Sequence, residues 1–238
     1  MKPPLTNDQL IMMIDWLNGI KHEIKEVYIK SATGLMLELF MNRFQRSIEK
    51  LEVQDQYIKC EGINYKRLNF EIKNSFSSYS SWYTLDFLFS MDTKRIDIDC
   101  SKFLEEDINM FLRSWQEGKT NRNLNQMDMI TVGERDMRKV LKDCEGVLMD
   151  PRTTKFEVFE QKNIYSSFFS PREPNKWIHG GIHIRRNDGR LAVIDNSKYW
   201  TVNEHVSEKQ IEKYEITREI WNSEDDTWFE SWFHIYFF

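Results

Sequence analysis

Glycine and proline are scarce, nine and five residues in 238. That excludes a collagen-like, linker-rich or low-complexity chain. The phosphate-cradling loops GxxxxGKS/T and GxGxxG are absent as well. Cysteine is sparse: Cys60, Cys100 and Cys144 are odd in number and far apart, which suits neither a disulfide framework nor a CxxC metal clip. There is no Asn-x-Ser/Thr glycosylation acceptor. The opening Met1-Lys2-Pro3-Pro4-Leu5-Thr6 starts no signal-peptide core, and no stretch approaches the ~20 apolar residues that span a bilayer. These absences predict a cytoplasmic or nuclear protein. The charge balance, 33 Lys+Arg against 38 Asp+Glu, supplies no general field for nucleic acid.

Apolar material is plentiful. Hydrophobic residues make up 40% and aromatic residues 14%, enough to exclude disorder, and the length suits one or two domains. Signs of catalysis are few. His179 and His183 are four apart, yet Gly180 and Gly181 lie between them where an HEXXH zinc helix needs a glutamate. No His stands beside a Ser or Cys in a nucleophile motif. Glu105-Glu106-Asp107 falls where a helix begins, and the helix dipole accounts for it. Glu224-Asp225-Asp226 reads as a solvated loop. Arg185, Arg186, Arg190 and Lys198 make a basic spot around a turn, with Arg185 and Arg186 on opposite strand faces. The expectation is no catalytic residue, no cofactor and no metal: not an enzyme.

Periodicity gives the organisation. Thr6 and Gln9 stand at capping-box spacing before a helix through Leu10, Met13, Ile14 and Leu17. A strand through Ile24, Glu26 and Tyr28 follows, then a helix over Leu35–Phe44 and a strand at Ile48, Leu51 and Val53. The order repeats: a strand at Leu68, Phe70 and Ile72, a polar loop over Ser77–Ser81, a short helix from Trp82 to Phe89. Next come a strand at Ile96 and Ile98, a helix from Leu104 to Trp115 stopped at Gly118, a strand at Leu124, Met127 and Met129, and a helix at Met137–Leu141. Strand-then-helix order predicts parallel strands in one sheet. The fold class is α/β, a degenerate leucine-rich-repeat-like strand–helix array over residues 1–150, although a compact βαβ sheet would read much the same. A β-hairpin cap over 151–200 follows, with a strand at Phe156–Phe159, a loop at Ser170–Pro174, and a turn at Asn187-Asp188-Gly189 between two alternating runs. Residues 201–238 are a charged helix, from His205 to Tyr214, and an aromatic tail.

The stretch from Ser77 to Met129 carries an ordered pattern: Trp82, Thr84-Leu85, Lys94-Arg95-Ile96, Glu106-Asp107-Ile108-Asn109, Phe111-Leu112, Trp115 and Gly118. It closely resembles the type 2 F-box-associated domain, found C-terminal to the F-box in a large nematode protein family. Arg185-Arg186-Asn187-Asp188-Gly189 resembles that family's terminal hairpin. The resemblance is tight over about residues 66–130 and loose over 10–195. It implies recognition of an unidentified protein substrate for a cullin-type ubiquitin ligase. The family places Thr at the helix N-cap where this chain has Leu104, so Ser101 or nothing caps it. No F-box is visible before the domain, so the Skp adaptor is a partner only if an F-box is supplied elsewhere. The motif residues are read as core rather than as binding residues.

Trp228, Trp232 and Tyr236 recur every fourth residue, as do Phe229, Phe233 and Phe237. As a helix, this tail would gather six rings on one face. It would then dock on the domain's own surface, with a partner's groove or a membrane interface as alternatives; the lack of Lys and Arg speaks against the membrane.

Overall fold

The computed structural model describes residues 5–54, 68–79, 82–158, 176–195, 203–223 and 227–238. Among the described residues its first half alternates helix and strand except that β3 follows β2 directly: α1 (Asn7–Gly19), β1 (Glu26–Lys30), α2 (Gly34–Arg43), β2 (Ile48–Gln54), β3 (Ile72–Ser78), α3 (Leu85–Phe89), β4 (Arg95–Ser101), α4 (Glu105–Gln116), β5 (Gln126–Asp136) and α5 (Met137–Val140). The five strands lie side by side in sequence order, and each pair is parallel, as the strand-then-helix order predicts. The second half adds β6 (Val147–Met149), β7 (Lys155–Val158), β8 (Lys176–His179), β9 (Gly181–Arg185), β10 (Leu191–Asp195), α6 (Glu208–Asn222) and β11 (Phe229–Phe237). One nine-stranded sheet results, in the order β1-β2-β3-β4-β5-β11-β10-β9-β6, with β7–β8 as a separate ribbon.

Hydroxyl caps start α1, α2 and α3. Thr6 accepts from the Gln9 N–H while the Gln9 side chain accepts from the Thr6 N–H, and Thr33 and Thr84 accept from Met36 and Phe87. Alternation then sorts the two sheet faces. Leu51, Val53, Phe76, Ile96, Ile98, Met127, Met129, Phe233 and Ile235 share one core with Ile14, Phe40, Leu88, Phe111, Leu112 and Trp115 of the helices. The helices therefore cover a single face. The ribbon packs on the opposite face near its far end, where Ile178 and Phe156 meet Val193 and Tyr236.

Three expectations are corrected. The third strand is displaced, since β3 runs Ile72–Ser78: Leu68 and Phe70 precede it, and Ser77 and Ser78 belong to it rather than to a loop. The helix near His205 begins at Glu208 and continues to Asn222, beyond Tyr214. The tail is a strand, not a helix, and it lies inside the sheet: β11 pairs antiparallel with β5 on one side and β10 on the other. A four-residue spacing keeps side chains on one face of a helix, but four is also even, so it keeps them on one face of a strand too. Phe233, Tyr236 and Phe237 are buried, Trp228 is buried and Trp232 half-buried, leaving Phe229 as the exposed ring of the six. Cys60, Phe159, Ser170–Pro174, Lys198, Ser80, Ser81 and Glu224-Asp225-Asp226 lie outside the described residues.

Candidate functional site

The sheet face opposite the helices is polar. Strand register places Tyr28, Glu52, Ser77, Asp97, Asp128, His234 and Asp195 in one row across seven adjacent strands. A neighbouring row holds Glu26, Lys50, Ser75, Arg95, Gln126 and Tyr236. With strands about 4.8 Å apart, the first row runs about 30 Å.

Its centre is an ion network. The Arg95 Nε donates to both Asp97 oxygens at 2.9 Å, and its Nη2 reaches Asp128 Oδ2 at 3.0 Å. Gln126 Nε2 donates to the same Asp128 oxygen at 2.8 Å, and His234 Nδ1 lies 2.7 Å from Asp128 Oδ1. Arg95 and His234 are buried. Burial pushes the Asp97 carboxyl up to about 7, with Arg95 opposing and the charge of Asp128 adding to the rise. Burial also raises Asp128, but the His234 hydrogen bond and the Arg95 charge outweigh it and hold Asp128 below the usual carboxylate range. Of the two carboxyls, Asp97 is the one raised and Asp128 the one lowered. Asp99, one step along β4, is raised by burial and then by Asp128.

A folded-state pKa above the unfolded one means that Asp97 favours folding most below about pH 4. That contribution is lost as the pH rises through about 7. Asp97→Asn is therefore expected to flatten stability across this window and to raise the melting midpoint at pH 8. Melts at stepped pH check it; a variant whose profile parallels the parent's contradicts the assignment.

The motif residues fall mostly into structural roles. Trp82 Nε1 donates to Ser78 Oγ at 3.0 Å, Leu85 packs on the core, and Ile96, Phe111, Leu112 and Trp115 are buried in it. Lys94 is exposed, its carbonyl accepting from Asn125. Leu104 supplies no side-chain cap; Asp107 accepts from its N–H at 2.9 Å instead, and Ser101 accepts from Phe103. Asn109 Nδ2 ties α4 to the end of α5 through the Val140 and Lys142 carbonyls. Gly118 follows α4 at φ 68°. Arg186 pairs with Asp188 and lies over the Trp115 ring, while the exposed Arg185 and Gly189 flank the turn between β9 and β10. Arg95 alone of the motif belongs to the network. Asp97, Asp128 and His234 escaped the sequence reading, although charges alternating with Ile96, Ile98, Met127 and Met129 are their signal.

His179 and His183 turn to the chain's own groups: His179 Nε2 to the Glu204 carbonyl, His183 Nε2 to that of Gly180. Among the described residues no cluster of three His, Cys, Asp or Glu could hold a metal ion. The glycines between them are steric. A Cβ on Gly180 (φ 72°) would sit 2.6 Å from the Met149 carbonyl oxygen, and one on Gly181 (φ 85°) 2.8 Å from that of Ile194. Gly181→Ala is expected to cost on the order of 1–3 kcal/mol, read as a lower urea midpoint; an unchanged midpoint would refute the steric account.

These features define a one-sided α/β sheet protein with helices on an apolar face and an ion network on the other. Residues 59–129, which include β3, α3, β4, α4 and the first positions of β5, match the family described as F-box associated. That span agrees closely with the tight part of the resemblance. Neither the curated proteins nor the solved structures gave a match. Among the described residues no helix is long and apolar enough to cross a membrane.

Proposed function

We propose that the chain is a non-catalytic protein-interaction module, similar to the region by which F-box proteins present substrates to cullin-type ubiquitin ligases. Its partner binds the polar face. The observation that supports this is the row from Tyr28 to Asp195, laid on the face opposite the helices. Helices pack about 8–10 Å apart and strands about 4.8 Å apart, so successive units curve toward the strands. On this reading the array is leucine-rich-repeat-like and its polar face concave. On the polar face of β1–β5 the carboxylates Glu26, Glu52, Asp99 and Asp128 outnumber the cations Lys30, Lys50 and Arg95, which favours a partner segment carrying Lys or Arg.

A displayed library of Lys/Arg-containing peptides tests the reading. Selected binders are expected to weaken about tenfold or more with Asp99→Lys and to ignore Glu106→Lys, an exposed change on α4. Absence of binders, or equal loss with both variants, overturns the reading. For ligase docking, the chain alone is expected to leave the Skp adaptor unbound and to bind it once fused behind an authentic F-box. Adaptor captured by the unfused chain contradicts this. A stand-alone or truncated paralogue is the alternative if the fusion binds no adaptor. Membrane attachment through the tail is set aside, because β11 lies within the sheet.

A further inference from the structure

Two apolar side chains stand out of place on the polar face. Alternation puts Met129 and Phe233 in the core, so their neighbours Ile130 and Trp232, paired across β5 and β11, project on the opposite side. Both are half-buried, and neither belongs to the main core or to the small one beneath the ribbon. The Trp232 ring lies 6.2 Å from that of His234, which places it at the border of the ion network.

On the other side of Ile130 stands an unheld carboxylate. Ile98 pairs with Met129 and Ser101 with Thr131, so Asp99 and Cys100 of β4 both stand opposite Ile130 in a bulge. The bulge leaves Cys100 exposed at φ 53° and Asp99 half-buried. Asp99 is near enough to the network that the Asp128 charge adds to the rise burial gives its carboxyl. The network's own carboxyls are held, Asp97 by Arg95 and Asp128 by Arg95, Gln126 and His234. Among the described residues no hydrogen bond or ion pair reaches the Asp99 side chain. A carboxylate so placed gains from any cation brought to it.

We infer that Asp99, Ile130 and Trp232 form the subsite at which the partner segment inserts an arginine side chain; this rests on the reading that the partner binds the polar face. Strands about 4.8 Å apart set the backbones of Asp99 and Trp232 about 10 Å apart, with Ile130 between them. That width takes a guanidinium, with the carboxylate on one side and the indole on the other. A guanidinium is planar, stacks on an aromatic ring and gives a carboxylate two parallel hydrogen bonds. Its weak hydration also lets it settle beside Ile130. The compact, strongly hydrated ammonium of lysine matches Asp99 alone, so the subsite selects arginine over lysine.

Binders selected from the Lys/Arg peptide library supply the probe. Those that lose affinity with Asp99→Lys are resynthesised with each arginine replaced singly by lysine, which changes neither the peptide's charge nor the protein. One such replacement is expected to weaken binding to the parent chain about tenfold, and to Trp232→Leu about twofold or less. Trp232→Phe keeps a ring and is expected to retain part of the discrimination, with circular dichroism matching the parent's. Asp99-dependent binders that contain no arginine, or that bind equally well with lysine in its place, overturn the inference and leave the partner-binding reading standing. So does a discrimination that survives Trp232→Leu undiminished. A library without binders, or equal losses with Asp99→Lys and Glu106→Lys, overturns both.

Discussion

Deleting residues 227–238 is expected to abolish cooperative folding, not merely to lower the melting midpoint. The deletion removes β11, which pairs with β5 from Phe229↔Asp136 to Tyr236↔Gln126 and with β10 from Ala192↔Phe237 to Asp195↔His234. Without it, the five parallel strands and the antiparallel strands β10, β9 and β6 are two sheets with newly opened edges. Trp228, Phe233, Ile235, Tyr236 and Phe237 are all buried, and each apolar side chain is worth about 1.5–3 kcal/mol when buried. Together they rival the roughly 5–15 kcal/mol by which whole domains are stable. The expected product is an aggregating chain with no sharp thermal transition. A soluble, cooperatively melting deletion product would refute the central placement of β11. Phe233→Asp, a single buried charge beside Met129, is expected to reproduce most of the loss.

The tail shows where sequence reasoning reached and where it stopped. The parallel half was legible because its units are local: a hydroxyl cap, a helical stripe, a strand of period two, all within one short stretch. The displacement of β3 arose from Leu68 and Phe70, which are buried beside the strand rather than in it and so mimic its apolar positions. β11 was not legible, because its partners β5 and β10 lie far back in the chain and its ring spacing suits helix and strand equally. The network shared that fate. Arg95 stood in a recognised motif, but its partners Asp128 and His234 reach it only through register.

Arg95→Met is expected to be the most damaging single change on the polar face. The substitution keeps an apolar stem and removes the guanidinium that bonds Asp97 and Asp128 together. Two carboxyl groups are then left side by side in a largely buried site. Breaking a buried ion pair from one side costs about 3–5 kcal/mol, and at this chain length that lowers the melting midpoint by roughly 10 °C. The loss has a pH signature. Without Arg95 both carboxyls hold protons more tightly in the folded state. A group raised on folding stabilises at low pH and loses that contribution as the pH climbs. The gap between parent and variant is therefore expected to narrow at pH 5 and to be widest near pH 8. Adding Asp97→Asn removes one of the stranded charges and is expected to recover part of the stability at pH 8 without changing the stability at pH 5 to the same extent. If Arg95→Met loses the same stability at both pH values, its contribution is packing rather than charge. The ion network would then be incidental to the face on which we place the partner.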